Sequence, residues 1–258
     1  MKWGRGFTSD GSQITGVIAE DRFHPRAGLG SETSAGAPLS LSEVTLLAPV
    51  RPGKFIGLWN NYKAAAEKGG FDLPTHPLYF LKADTSLSGP GAEVAIPQSA
   101  GRVVFEGELG IVIGKTCKAI APEDAGEAIL GYTCVNDITS LDVLKADASF
   151  PQWTRAKSFD GFGTVGPVIE TDIDWQALTV RTLVNGRERQ SYPTSDMILT
   201  PAEIVSLLSR DMTLNPGDLI ACGTSLGAGP IKPGMNVEVV IEGIGALSVT
   251  MTAPAGQD

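Results

Sequence analysis

The sequence predicts an α+β fold rich in β-structure, with a mixed sheet and short helices. Three observations lead there. Runs of β-branched and aromatic residues recur at strand length, most clearly in Val103–Ile113, Leu219–Cys222 and Asn236–Ile241. Asn185-Gly186 stands between two such runs, the residue pair that closes a tight hairpin. The helical stretches are too few and too short to alternate with the strands, which excludes a doubly wound sheet.

The elements follow in chain order. Residues 1–48 read as a small β-rich N-terminal segment with glycine turns. Ala27 to Leu39, rich in Gly, Ser and Ala, reads as a loop. A second unit, residues 49–258, opens at Pro49-Val50-Arg51-Pro52-Gly53. Lys54–Trp59 is a strand leading to Asn60-Asn61-Tyr62. A short helix through Ala64–Glu67 is expected to take Asn61 as its N-cap and to stop at Gly69-Gly70. Residues 78–82 form another buried strand. Pro122-Glu123-Asp124 opens a helix ending near Gly131, and Tyr132–Val135 is a strand that delivers Asn136-Asp137. Residues 138–164 are polar and irregular, with some helix. The hairpin spans Leu178–Val184 and Arg187–Gln190. Thr200-Pro201-Ala202-Glu203 is a capping box with proline at the first helical position, and its helix runs to about Arg210. Asn215-Pro216-Gly217-Asp218 is a turn, Leu219–Cys222 a strand that meets Gly223-Thr224, and Asn236–Ile241 and Ala246–Met251 are closing strands.

Composition narrows the function. The 258 residues carry a formal net charge of −9, with no basic run, which argues against nucleic acid or an anionic membrane as partner. The apolar stretches are strand-sized and do not span a bilayer, and Met1–Gly6 lacks the apolar centre of a signal peptide. The three cysteines, Cys117, Cys134 and Cys222, are scattered and read as reduced residues of a cytoplasmic protein.

The chemistry concentrates on Glu106 and Glu108. On a strand, residues two apart share a face, so both carboxylates point the same way across Gly107. A bare Glu-x-Glu is also what an exposed edge strand shows to water. The flanking Val, Phe, Leu and Ile residues instead read as a strand buried on both faces. Buried like charges resist ionisation unless a cation compensates them. Oxygen ligands suit magnesium, manganese or calcium. Asp137, at a strand end, makes a third carboxylate. Lys157 beside such a cluster can bind a substrate carboxylate or oxyanion; alone it reads as a surface lysine paired with Asp160. Gly223-Thr224 offers a backbone N–H and a hydroxyl to a carboxylate, or is an ordinary turn.

In this order, Asn61-Tyr62, Phe80-Leu81-Lys82, Glu106-Gly107-Glu108-Leu109, Gly131-Tyr132 to Asn136-Asp137, Lys157-Ser158-Phe159-Asp160-Gly161, Asn215-Pro216-Gly217-Asp218 and Gly223-Thr224 resemble the fumarylacetoacetate hydrolase family. The resemblance covers about residues 48–250. It is nearest to members acting as decarboxylase or isomerase in homoprotocatechuate catabolism, and to acylpyruvate hydrolases.

The resemblance implies a β-roll with a mixed sheet, usually a homodimer. It implies Mg2+ or Mn2+ on Glu106, Glu108 and Asp137, and a 2-oxo acid substrate that chelates the ion. Lys157 would hold the oxyanion. Gln152, Thr224, Gly223 and Tyr62 would contact the substrate. Hydrolytic members carry a His and a Glu on the helix after Asn-Tyr as a water-activating dyad. Here Ala65 stands at the histidine position and Glu67 lies one residue off the glutamate position. The two histidines, His24 and His76, lie in the N-terminal segment and on a loop. Without the dyad, weight moves to decarboxylation or keto–enol isomerisation of a β-keto or 2-hydroxy-dienoate dicarboxylate, with Lys82, Glu67 or a metal-bound water as proton shuttle. The alternatives are C–C hydrolysis of a 1,3-dicarbonyl, with Glu67 or His76 replacing the dyad, and a non-catalytic small-acid binder. Trp59, Tyr79, Trp153 and Phe162 are candidates for an apolar wall. Arg181 and Arg189 flank the hairpin and read as surface residues.

Overall fold

The computed structural model describes residues 1–254. Among them the strands form three sheets. The largest holds twelve strands. Its main path runs from Leu39–Ser40 through Arg22–Arg26, Gln13–Ala19, Lys2–Thr8, Gly163–Glu170, Ile129–Asp137, Gly107–Ile113, Leu219–Ala221 and Phe55–Trp59 to Leu78–Lys82. Residues 1–48 therefore extend the same sheet that carries Glu108, through pairing of Lys2 with Glu170 and Trp3 with Ile169. Trp3 and Val17 share a core cluster with Val112 and Val165. The five-stranded sheet contains the hairpin, the two closing strands Asn236–Ile241 and Gly245–Thr252, and Glu93–Ala95. A three-stranded sheet joins Thr139–Ser140, Val103–Phe105 and Gly229–Ile231. Most pairs are antiparallel, while Leu219–Ala221 on Phe55–Trp59 is parallel, so the large sheet is mixed.

The strongest local signals give the elements expected of them. Thr179–Val184 pairs with Arg187–Pro193 across Asn185 and Gly186, both at positive φ, as the turn requires. The helix Pro201–Asp211 opens on the capping box: Glu203 Oε2 accepts from the Thr200 amide at 2.8 Å. It buries Ile204, Val205 and Leu208 on one stripe, against the core that also holds Leu109, Ile111, Val239 and Ile241. In Gly107–Ile113 every residue is buried, so both faces are covered.

Three expectations are corrected. The run 103–113 is not one strand. It breaks at Glu106, with Val103–Phe105 in the three-stranded sheet and Gly107–Ile113 in the large one. The helix expected from Pro122 to Gly131 is only the 3-10 turn Ala125–Ala128, followed at once by strand Ile129–Asp137. That stretch is too short to stand as an independent helix, so sheet pairing with Gly107–Ile113 wins. Asn61 does not cap the helix Lys63–Gly69; Tyr62 precedes it without a side-chain cap. The buried Asn61 amide instead donates to the carbonyls of Leu199 (3.3 Å) and Cys222 (3.0 Å), and its oxygen accepts from the Leu199 amide. A buried amide must satisfy its own polar atoms, and here long-range backbone supplies the partners. Among the described residues, no helix is long and apolar enough to cross a membrane.

Candidate active site

The break in 103–113 is where the site forms. At the break, the Glu106 amide donates to Asn136 Oδ1 (3.1 Å) and the Glu106 carbonyl accepts from the Asp137 amide (2.9 Å). The end of strand Ile129–Asp137 thus pins the turn. Gly107 lets the hairpin close in from the other side: a Cβ there would lie 2.0 Å from Thr182 Oγ1. Its N–H donates to Gln190 Oε1, and its carbonyl accepts from the hydroxyls of Tyr192 (2.5 Å) and Thr224 (2.9 Å). Backbone held from three sides leaves the Glu106 and Glu108 side chains little freedom.

Glu106, Glu108 and Asp137 each bring an oxygen within 4.8 Å of the others. Glu108 and Asp137 are buried, while Glu106 keeps 17% of its side chain exposed. Lys157, the last residue of the short helix Trp153–Lys157, donates to Glu106 Oε2 at 2.5 Å and Asp137 Oδ2 at 2.6 Å. Lys82 comes from behind, donating to Asp137 Oδ1 at 2.5 Å and the Phe162 carbonyl at 3.3 Å. Its side chain has no exposure at all.

The electrostatics follow from burial and spacing. Burial, and then the neighbouring carboxylate of Asp137, push Glu108 well above the ordinary carboxylate value. Burial also raises Glu106, against the pull of Lys157. Burial pushes Asp137 the same way, but Lys157 and Lys82 outweigh it and hold it below the ordinary value. Lys157 is held above the usual lysine value because Asp137, Glu106 and Glu108 together overcome its desolvation. Lys82 is lowered by burial despite Asp137. Three carboxylates against two ammonium groups leave an excess negative charge in a low-dielectric setting, which favours a bound cation. The donors are all oxygen, so the set fits a hard divalent ion such as Mg2+ or Mn2+.

A cavity of about 230 Å3 opens on this cluster. Glu106, Lys157, Thr139, Thr224 and Ser225 line its polar end. Leu58, Ala65, Leu141 and Leu144 line its sides, together with the rings of Trp59, Phe71 and Trp153. Trp59 packs on Phe71 at 4.9 Å and on Trp153 at 5.8 Å between ring centroids.

The remaining expected residues take other places. Glu67 and His76 are exposed, and neither they nor His24 line the cavity; Ala65 does. Gln152 precedes the Trp153–Lys157 helix without a side-chain cap and lies outside the cavity, its amide turned to the Phe150 carbonyl. Tyr62 is fully buried behind the cluster, packed edge-on against Tyr192. The Gly223 amide is spent on Glu108 Oε2 at 2.7 Å, from a backbone at φ 88° that suits glycine. Thr224 does line the cavity, but its hydroxyl proton goes to the Gly107 carbonyl and its oxygen accepts from Gln190. Of the expected apolar wall, Trp59 and Trp153 are present. Phe162 is in the core, and Tyr79 lies in the next cavity along.

Sequence reasoning missed Asn136, Gln190 and Ser225. Asn136 stood beside Asp137 and could have been found as a polar residue at a buried strand end. Gln190 carried no local signal. Ser225 lines the cavity, and its buried hydroxyl has no hydrogen-bond partner among the described residues.

Residues 54–252 match the fumarylacetoacetate (FAA) hydrolase C-terminal family. The crystal structure of a 5-carboxymethyl-2-hydroxymuconate delta-isomerase from Mycobacterium smegmatis is similar at a TM-score of 0.89 and 38% identity, over 99% of this chain and 100% of that one. Oxaloacetate tautomerase YisK of Bacillus subtilis (strain 168) is 39% identical over 224 residues, 81% of this chain and 73% of its own length. A maleylpyruvate hydrolase from Sphingobium sp. SYK-6, solved with manganese (II) and pyruvate, is similar at a TM-score of 0.80 and 29% identity, over 98% of this chain and 99% of that one.

Proposed function

We propose, from the premise that this chain belongs to the fumarylacetoacetate hydrolase family, that it is a divalent-metal-dependent enzyme. It acts on an enolisable 2-oxo acid by keto–enol isomerisation or decarboxylation. The observation that carries the reaction type is Ala65. It lines the cavity where a water-activating histidine is expected, and the nearby Glu67 is exposed and absent from the lining. Hydrolysis needs an activated water. Isomerisation and decarboxylation do not.

Glu106, Glu108 and Asp137 would hold Mg2+ or Mn2+. When bound, the ion supplies positive charge where an enolate would develop its negative charge. The rest is the work of this chain. Lys157 reaches the cavity beside Glu106 and offers its ammonium to the substrate's carboxylate or oxyanion. Lys82 lies behind Asp137, outside the cavity, and so acts as a fixed counter-charge rather than as the shuttle. In decarboxylation the electron pair of the breaking C–C bond moves into the adjacent ketone, and no protein base is required for that step. In isomerisation a proton must move. The proton carriers on the wall are Lys157 and Ser225, since the hydroxyl protons of Thr139 and Thr224 are committed to the carbonyls of Asp137 and Gly107.

The maleylpyruvate hydrolase neighbour supports a second reading, C–C hydrolysis in the same cavity. The two readings differ in products. The test is turnover of oxaloacetate, an acylpyruvate and a 2-hydroxy-diene-dioate with and without Mg2+, resolved by NMR. Carbon dioxide or a shifted double bond supports isomerisation or decarboxylation. Pyruvate plus a second acid overturns that reading in favour of hydrolysis.

A homodimer in a reducing, cytoplasmic setting completes the proposal. The edge strand Leu78–Lys82 shows Tyr79 and Leu81 to solvent, at 40% and 43% exposure, which a second copy would cover. The cysteines are all buried and free. Light scattering on the purified chain tests the dimer.

A further inference from the structure

The wall of the cavity bears on the substrate's far end. This inference rests on the reading of a 2-oxo acid enzyme and sharpens its substrate class. Lys157 is the one cationic side chain that lines the cavity among the described residues, and it already spans Glu106 and Asp137. The rest of the lining is Leu58, Ala65, Leu141, Leu144 and the rings of Trp59, Phe71 and Trp153, with Asn60 as its one uncharged polar side chain outside the polar end, its amide already donating to the Asp72 carbonyl. Beyond the Trp59–Trp153 pair lies a second cavity of about 420 Å3, lined by Trp59, Leu78, Tyr79, Phe80, Pro151 and Trp153, with no charged side chain. The two cavities share both tryptophans, so the apolar surface continues outward from the polar end. Arg155, the nearest arginine in sequence to Lys157, is exposed and lines neither of these cavities; it borders a third, outer one that shares Tyr79, Phe80, Pro151 and Trp153 with the second but does not touch Trp59, Phe71 or Leu144. At the polar end, Ser225 is 95% buried and its hydroxyl lacks a partner among the described residues. It is the free donor there, since the Thr224 proton is already committed to Gly107.

We infer that the site selects 2-oxo acids whose far end is uncharged and apolar, an aryl or alkyl group seated against Trp59, Phe71, Leu144 and Trp153, with Ser225 Oγ donating to the substrate's anionic end. A carboxylate at the far end would be desolvated against this wall with no counter-ion, which is costly. An aryl group there gains buried area and ring contacts. The dicarboxylate expected from the sequence is thereby replaced by a monocarboxylate, which leaves keto–enol isomerisation as the reaction, because decarboxylation through an enolate needs a second carboxylate β to the ketone.

The test compares 2-oxo acids of matched length ending in phenyl, alkyl or carboxylate, on the full chain loaded with Mn2+. Enol absorbance reads turnover, and tryptophan fluorescence reads binding of the same acids. The expected result is a preference of at least about tenfold in kcat/KM, and in affinity, for the phenyl- and alkyl-terminated acids. Equal or better use of the carboxylate-terminated acids overturns the inference. If none is turned over, the catalytic reading fails, and the order of affinities still decides the inference. Leu144→Arg, at a half-buried position, is expected to move the preference toward the carboxylate-terminated acids by about tenfold. Ser225→Ala is expected to weaken binding of all the acids alike, by about fivefold. A change confined to one tail class would show that Ser225 does not meet the shared anionic end.

Discussion

The two ends of one cavity are built differently. The polar end stands on backbone: Glu106 sits at a strand break clamped by Asn136 and Asp137, and Gly107 is held by Gln190, Tyr192 and Thr224. Each acidic side chain there has a fixed partner: Lys157 for Glu106, the Gly223 amide for Glu108, and Lys157 and Lys82 for Asp137. The apolar end is made mostly of side chains on short helices and loops, joined by Leu58 and Trp59 at the end of a strand. Among its rings, Phe71 is 49% exposed. Rigid backbone suits chemistry, which needs charges placed to a fraction of an ångström. A wall of side chains can vary its shape without disturbing them. On the proposed function, the first end would set the reaction and the second the substrate.

The sharpest way to break this comparison is at the polar end. Glu106→Gln is expected to weaken Mg2+ binding and lower turnover by about a thousandfold or more, with the thermal midpoint little changed. Calorimetric metal titration and a melt on the same sample check both halves. Unchanged activity would sink the metal assignment. Lys157→Met is expected to cost about a hundredfold in kcat while metal affinity holds or rises, because a competing positive charge is gone. Steady-state kinetics beside a metal titration separates those effects. Gly107→Ala tests the backbone clamp itself. The added Cβ would meet Thr182 Oγ1 at 2.0 Å, so a loss of about 1–3 kcal/mol in urea unfolding is expected. A variant as stable as the parent would mean the hairpin yields at no cost. The smallest effect belongs to the apolar end. Trp153→Ala is expected to raise KM about tenfold with kcat nearly kept, the sign of lost uniform binding. A fall in kcat instead would show that the wall also positions the reacting atoms.

Much of this site was legible because its signals are local. Glu106, Glu108 and Asp137 stand in apolar runs, where a carboxylate has no cheap structural explanation. They do converge, although the one-strand argument for the first two was wrong in detail, because the strand breaks at Glu106. Glu67 was judged by distance from a motif. One residue on a helix turns a side chain by about 100°, and here Glu67 faces solvent while Ala65 lines the cavity. Lys82 and Gly223 were read as reaching the substrate. Both instead support the carboxylates from outside the cavity.

The sequence by itself determined the elements whose cause lies within a few residues. These are the Asn185-Gly186 hairpin, the Thr200–Glu203 cap and the buried strand Gly107–Ile113. It also determined which carboxylates had to be compensated. Turn chemistry, capping and side-chain period act over short spans, so they can be read in one line of residues. Only the tertiary structure decided which polar groups are already satisfied. Thr224 and Gly223 became supports, Ser225 was left with a free hydroxyl, and Lys82 was sealed behind Asp137. It also brought Trp59 and Trp153 together as one wall. Those outcomes depend on hydrogen bonds and burial between residues far apart in the chain, and no local pattern encodes who their partners will be.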